Sequence, residues 1–346
     1  MKRVLVIASL FNVLLIPCIH AQDGVEQVES TQTVARSTDE NLKATSQSSS
    51  LASGEQPEFI EPIVFRWKVG VRIEGGTKSC SNLLITIPIP TNWPEQTVTV
   101  FEQNVPLSSR EFQIREGNSG LQQMVATIPK LNANQEVEFE MVFNVQVHKV
   151  KPPESPHALL KPKHLDRDMR VYLDASPGIS FTYSKLRKQL KEIVENCDNP
   201  WDEAKAIYSW IIENIENNHA MPTEALDCFK NRAGGPEDIV GLFVAMCRLN
   251  KIPSRTVWVD GTQYAEFYLE NEDKEGFWYP VVLTGIPEFA ANSDPRIIMQ
   301  KGDSIRVPEK NTPLRFVNEF VTAEGTSNAS KPKVEFIREL VTIEVK

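Results

Sequence analysis

The residues of this chain best suited to covalent chemistry are its thiols, and four of its five cysteines lie beyond residue 21: Cys80, Cys197, Cys228 and Cys247. His219 precedes Cys228 by nine residues, and a thiol beside an imidazole can act as a nucleophile. A pair this close in sequence is more often incidental, so this dyad is the less favoured interpretation.

The cysteine spacing argues against a structural metal. No two cysteines form a Cys-x-x-Cys pair, which zinc sites commonly use. The four cysteines allow three disulfide pairings, and the sequence leaves the choice open. Cys247 lies among apolar residues of a predicted helix, so we expect a buried free thiol there.

Three carboxylates could serve a metal or acid–base site: Glu237, Asp238 and Glu266. The first two fall in the first turn of a predicted helix, where negative charge complements the helix dipole. Glu266 occupies a strand position that we expect to be exposed. Each carboxylate therefore has a structural explanation, and the sequence predicts no metal and no cofactor.

Four aromatic residues are close enough in sequence to line a peptide groove: Trp258, Tyr264, Tyr268 and Trp278. Packing of a sheet against a helix explains most of them equally well. We therefore treat them as candidates for binding rather than for chemistry.

A helix and three strands would position these side chains. The helix spans 236–249 and exits through Ile252-Pro253, and the hydrophobic pattern predicts strands at Arg255–Val259, Tyr264–Leu269 and Phe277–Leu283. Earlier helices are predicted at Tyr183–Asn196 and from Pro200, with Asn199 as the N-cap.

The stretch Gly234–Arg255, GGPEDIVGLFVAMCRLNKIPSR, resembles the nucleophile helix of the transglutaminase-like superfamily, whose core is papain-like. The preceding WDEAKAIYSWIIENI is similar to the segment before that helix. Eight residues match the family pattern: Gly234, Asp238, Leu242, Phe243, Arg248, Ile252, Pro253 and Arg255. The resemblance covers roughly residues 198–285.

The resemblance implies a Cys-His-Asp triad, and this chain departs from it at all three positions. The cysteine position is Pro236, the histidine position is Thr262 and the aspartate position is Val282. No histidine follows His219, so neither strand supplies a base of that type. Proline also lacks the backbone N–H that would help to bind an oxyanion.

The framework around those positions matches the family. Tyr264, Glu266 and Tyr268 fit its second motif, and Trp278 with Pro280 fits its third. Candidate residues for a binding cleft are accordingly Asp238, Trp258, Tyr264, Glu266 and Trp278.

The N-terminal part divides by composition. Residues 1–21 carry Lys2 and Arg3 before an apolar run, as a secretory signal peptide does, and Pro17 argues against acylation of Cys18. Residues 22–57 form a predicted disordered Ser/Thr/Gln-rich tether. Residues 58–150 alternate apolar and polar side chains, which indicates an antiparallel β-sandwich.

A Pro-rich connector is predicted at 151–178 and the transglutaminase-like domain at 179–346. The fold class is therefore α+β, with a sandwich followed by a papain-like α+β domain. Asn328 begins a glycosylation sequon, a triplet common by chance.

The charge composition limits the classes of partner that this protein is expected to bind. The chain has 37 basic and 46 acidic residues and no basic block, which argues against nucleic acid. Past the signal peptide no apolar run approaches the ~20 residues of a spanning helix.

We therefore predict a secreted or periplasmic, non-catalytic protein whose cleft binds a polypeptide or cell-wall peptide. One alternative is an active cysteine-type peptidase or acyltransferase with relocated residues. The other is a structural component that binds through its sandwich.

Overall fold

The computed structural model describes residues 54–106, 109, 111–218, 223–324 and 330–342. The predicted signal peptide, almost all of the tether, His219 and the sequon at Asn328 lie outside this range. In the described part, no helix is long and apolar enough to cross a membrane.

The N-terminal half is a sandwich of two four-stranded antiparallel sheets. Six of its strands are β1 (Glu58–Glu74), β2 (Cys80–Ile89), β3 (Gln96–Asn104), β4 (Glu111–Glu116), β5 (Gln122–Leu131) and β6 (Glu136–Lys151). The alternation along β6 buries one face: Val137, Phe139, Met141, Phe143, Val145 and Val147 are all core residues. The predicted sandwich is therefore confirmed.

The C-terminal segment returns to complete the sandwich. β14 (Phe320–Glu324) pairs with β2, and β15 (Lys333–Leu340) pairs with β1, which gives the orders β14-β2-β5-β4 and β15-β1-β6-β3. The prediction of one domain over 179–346 placed these two strands in the transglutaminase-like domain, whereas they pair with strands of the sandwich. Short strands carry no local sequence signal that identifies the strand with which they pair. Val321 and Ala323 pack in the sandwich core.

The second half combines helices with a five-stranded antiparallel sheet in the order β12-β11-β10-β9-β13, which confirms the predicted α+β class; it is called the α/β domain below. Its strands are β9 (Ser254–Val259), β10 (Thr262–Glu270), β11 (Gly276–Val282), β12 (Glu288–Phe289) and β13 (Ile298–Lys301). β9 and β10 are joined by the tight Asp260-Gly261 turn, where Gly261 has φ +75°.

Helices cover one face of this sheet. They are α1 (Arg167–Arg170), α2 (Ser184–Val194), α3 (Pro200–Asn214), α4 (Ala225–Asn231) and α5 (Pro236–Leu249), and the short parallel strands β7 (Glu216–Asn217) and β8 (Ala233–Gly234) flank α4. Asn199 caps α3 by accepting from the backbone N–H of Asp202, as predicted. The core under the helices includes Phe243, Phe267 and Tyr279.

The predicted connector is packed rather than free. Leu159 is fully buried in the core of the α/β domain, and Leu160 pairs with Glu270 at the end of β10. Proline-rich composition indicates irregular backbone, but it does not decide whether that backbone is buried.

Candidate functional site

The first turn of α5 is held by one carboxylate. Asp238 accepts hydrogen bonds from the backbone N–H of Thr223 at 2.8 Å and from that of Gly235 at 3.3 Å. Pro236 occupies the first helical position, where its missing N–H leaves no helical bond unmade. Asp238 is 1% exposed, so its oxygens serve the turn rather than a cleft.

Thr262 and Val282 lie on the neighbouring strands β10 and β11, whereas Pro236 begins α5. Thr262 begins β10, and the register that pairs Ala265 with Val281 places Val282 beside Tyr264, two residues away. The far end of α5 is fixed at the start of β9, where the Arg248 side chain bonds Ser254 O. Ala265, Phe267 and Val281 pack in the core with α5, so Thr262 and Val282, which alternate with them, lie on the other face of the sheet.

A segment that follows β13, residues 302–319, packs against the start of α5 and against Trp258. Arg315 pairs with Glu237 in the first turn of α5 at 2.9 Å, and the next residue, Phe316, packs on the Trp258 ring with centroids 5.1 Å apart. The Trp258 Nε1–H donates to Gly302 O at 2.9 Å. The indole is consequently enclosed by the chain itself.

The other face of the sheet, which points toward the sandwich, carries a buried ion network. Lys301 Nζ contacts carboxylate oxygens of both Glu95 and Glu266, the latter at 2.6 Å. Arg255 Nε donates to the second oxygen of Glu266 at 2.7 Å. Each of the four residues is more than nine-tenths buried.

The charges in this network stabilise one another. Burial alone would raise the pKa of Glu266, but the Lys301 and Arg255 cations outweigh it, so the pKa lies below the ordinary value. Burial likewise acts to lower the pKa of Arg255, and Glu266 together with Tyr172 raises it. Both side chains are therefore ionised at neutral pH.

Aromatic rings surround the Arg255 guanidinium. Its central carbon lies 3.9 Å from the centroid of the Trp278 ring and 5.6 Å from that of Tyr172. Trp278 in turn packs edge-on against Tyr172 and is tilted against Tyr268. Gly276 makes room for this cluster, because a Cβ there would overlap the Tyr268 hydroxyl.

A cavity of about 250 Å³ opens beside this cluster. Arg255, Glu266, Lys301 and Glu95 line it together with Trp278 and apolar residues of both halves of the molecule: Pro57, Phe59, Pro94, Val150, Phe277 and Pro280. The cavity thus lies between the sheet and the sandwich, on the face opposite α5.

The described cysteines are poor nucleophiles. Burial raises the pKa of Cys228 to about 12, and Asp238 adds to the effect. Burial also raises the thiol pKa of Cys80, Cys197 and Cys247. Cys247 is a fully buried free thiol, as predicted, and all four described cysteines are unpaired.

The structure distributes the five predicted cleft residues over different environments. Asp238, Trp258 and Tyr264 are buried and make contacts within the fold. Glu266 and Trp278 line the cavity. The expectation that Glu266 is exposed was wrong: it is 2% exposed, because the sandwich covers the face of β10 on which it lies.

Sequence reasoning missed Arg255, Lys301 and Glu95 as members of a site. Arg255 was recognised only as part of a motif, although a lone cation in an otherwise apolar strand, as also in the Ile298–Lys301 run, is a usable signal. Glu95 comes from the sandwich, and nothing local associates it with these cations. Within the described residues, no group of three or more His, Cys, Asp or Glu side chains is arranged to hold a metal.

Comparison with known proteins places residues 187–282, from α2 to the end of β11, in the family model of the transglutaminase-like superfamily. A structure named "Putative Cysteine Protease", from Cytophaga hutchinsonii, is 16% identical, with 83% of this chain and 95% of that chain covered and a TM-score of 0.47. A "putative protease" from Parabacteroides distasonis is 13% identical over 69% of this chain and 49% of that chain, with a TM-score of 0.26. The search of curated proteins found no match.

Proposed function

We propose, from the premise that residues 187–282 form a transglutaminase-like domain, that this protein is an exported, non-catalytic member of that superfamily that binds a polypeptide. Export rests on the signal-peptide pattern of residues 1–21. The domain keeps the framework of its family while the positions of its chemistry carry other residue types.

The observation that supports the absence of catalysis most directly is Pro236 at the first position of α5. A nucleophilic cysteine needs a helix N-terminus or a neighbouring cation to favour the thiolate. Here that helix start carries no thiol, and all four described thiols have raised pKa values. A thiolate attack on an amide therefore has no attacking group among the described residues.

The enzyme alternative would rest on Cys228 with His219. Cys228 is 1% exposed, and both its burial and the negative charge of Asp238 raise the pKa of its thiol, which disfavours the thiolate. His219 lies outside the described residues. This alternative therefore has the weaker physical support.

The structural alternative would use the outer surface of the sandwich. Val64, Val100 and Phe101 are each about half exposed there, and the Arg66 guanidinium carbon lies 3.8 Å from the centroid of the Phe101 ring. Scattered exposed apolar residues are ordinary on protein surfaces. Binding by the α/β domain is favoured because its cavity combines aromatic rings with buried charges, as ligand sites do.

Alkylation with iodoacetamide tests the lack of a reactive thiol. We expect the folded protein to label slowly near neutral pH, whereas Pro236→Cys should add one rapidly labelled thiol, because a thiolate at the start of α5 is stabilised by the helix dipole. Mass spectrometry of the labelled peptides identifies the site. A new cysteine no more reactive than Cys197 would mean that residue 236 does not hold the nucleophile position.

An assay for catalytic turnover tests the opposite possibility, that this protein is an enzyme. If the purified protein hydrolyses or crosslinks a peptide library and Cys228→Ala removes that activity, the non-catalytic proposal is wrong. Cys80→Ala, a thiol within the sandwich, is the matched control.

A further inference from the structure

We infer that the cavity between the five-stranded sheet and the sandwich is a binding site for an uncharged peptide segment, with a backbone carbonyl at Arg255 and an apolar side chain among Trp278, Phe59 and Pro280. This inference rests on the proposed function, because it assigns the place and chemistry of polypeptide binding. The site lies on the face of the sheet opposite α5.

The first argument is the unused hydrogen-bonding capacity of Arg255. A guanidinium has five N–H donors. Its Nε donates to Glu266 at 2.7 Å, while the Tyr172 ring lies 5.6 Å from the guanidinium carbon. Arg255 is 7% exposed and lines the cavity, so a ligand acceptor in the cavity can reach donors of its guanidinium.

The second argument is charge. Two cations, Arg255 and Lys301, are balanced by two carboxylates, Glu95 and Glu266. A ligand carboxylate would add an uncompensated negative charge beside both glutamates in a buried site. A neutral carbonyl satisfies the donors without that penalty, which favours a peptide group over an anion.

The third argument is shape. At about 250 Å³ the cavity is smaller than typical cofactor sites, and apart from the four charged residues its walls are mostly apolar side chains and prolines. Ligand pockets span about 300–1,000 Å³. This space therefore suits one apolar side chain and its adjoining peptide group.

The fourth argument is the neighbouring sheet edge. β11 pairs with β10 along its length but with β12 only through Val281 and Val282. Among the described residues, the part of β11 from Gly276 to Pro280 therefore pairs with β10 alone, and all of it except Tyr279 lines the cavity. An extended peptide can pair with such an edge while a side chain enters an adjacent pocket.

The test titrates the mature protein with three probes that share one fluorinated ring and follows each by fluorine NMR. The probes are the N-acetyl methylamide of para-fluorophenylalanine, 3-(para-fluorophenyl)propionate and para-fluorotoluene. We expect the methylamide to bind at least about tenfold more tightly than para-fluorotoluene, since its carbonyl gains a charge-assisted hydrogen bond. The propionate should bind more weakly than the methylamide.

Two variants locate the binding. Gln56 is exposed at the cavity wall, so Gln56→Trp should fill the entrance and abolish methylamide binding. Glu58→Trp, exposed two residues along and outside the cavity lining, is the matched control and should bind normally. Arg255→Lys keeps the charge but loses the planar, forked set of guanidinium donors. It should therefore weaken binding of the methylamide about tenfold and leave binding of para-fluorotoluene unchanged.

Each result that contradicts the inference overturns a different part of it. Equal binding by the native protein and Gln56→Trp overturns this location while leaving polypeptide binding elsewhere intact. Tightest binding by the propionate overturns the peptide chemistry and makes the cavity an anion site. If no probe binds at millimolar concentration, the inference is wrong, whereas the lack of a catalytic thiol is decided separately by the alkylation experiment.

Discussion

Arg248 shows what a single residue does in this fold. Its guanidinium is fully buried and donates to both carboxylate oxygens of Asp303 at 2.8 Å and to the carbonyl oxygen of Ser254. It also donates to Asp174 O and Ser176 Oγ, which lie in the segment predicted as a connector. One side chain thereby joins α5, β9, the connector and the segment after β13. The arginine of the family pattern is thus a structural residue here.

Replacing Arg248 should destabilise the protein strongly. Arg248→Met leaves Asp303 as an uncompensated buried charge, and we expect a loss of about 3–5 kcal/mol in the free energy of unfolding, measured with urea. The control is Lys188→Met. Lys188 is exposed and its ion pair with Glu192 is long, at 3.8 Å, so this substitution should change the free energy of unfolding very little. Similar effects of the two substitutions would contradict the assigned role.

Cys228 gives a prediction about pH. Its folded-state pKa of about 12 exceeds the ordinary value of 9.0, so the fold favours the neutral thiol. This contribution is complete below pH 9 and is lost as the pH rises toward 12, because the unfolded thiol ionises first. The stability difference between the native protein and Cys228→Ala should therefore shrink from pH about 8 to pH about 10. A difference that stays constant, by urea titration at both pH values, would exclude the shift.

At the scale of elements, α5 organises the α/β domain. Ten consecutive residues from Ile239 to Arg248 are buried, so the helix packs on all sides instead of presenting one polar face. Such a helix depends on its ends for polar contacts. Asp238 supplies them at the start by bonding Gly235 and Thr223.

Removing that cap should loosen the helix start. Asp238→Ala leaves the two backbone N–H groups without their acceptor, and we expect a loss of about 1–3 kcal/mol. Asp227→Ala, in the first turn of α4 and half exposed, is the comparison and should lose less. Hydrogen exchange should increase at the N-terminal turn of α5 in Asp238→Ala, and unchanged exchange there would contradict the capping role.

At the scale of the whole molecule, the two halves depend on each other. The chain leaves the sandwich at the end of β6, builds the α/β domain and returns as β14 and β15 to pair with β2 and β1. The ion network crosses the same boundary through Glu95. The α/β domain is in this sense an insertion between strands of the sandwich.

Fragments test this dependence. A chain of residues 54–319 lacks β14 and β15, which exposes the edges of β2 and β1 and removes Val321 and Ala323 from the core. We expect residues 54–342 to unfold in one cooperative thermal transition, measured by circular dichroism, and the shorter chain to lose that transition. A sharp transition in the shorter chain at an unchanged temperature would show that the halves fold independently.

Local patterns predicted much of the fold. The period of two along Glu136–Lys151, the Asn199-Pro200 helix start and the helix from Pro236 all depend on neighbours within a few residues, and all appear in the structure. The pairing of Lys333–Leu340 with β1 was not predicted, because its partner lies more than 250 residues away. No short-range period specifies which strand another strand will meet.

The same division holds for the candidate site. The amino-acid sequence alone determined that the positions which the resemblance assigns to a triad carry Pro236, Thr262 and Val282, since residue identity and spacing are properties of the chain alone. Tertiary structure alone decided that Glu266 is buried, that Glu95 from the sandwich joins Lys301 beside it, and that a cavity lies there. The physical reason is that a charge can be buried only when an opposite charge is brought to it, and here that charge comes from a distant part of the chain.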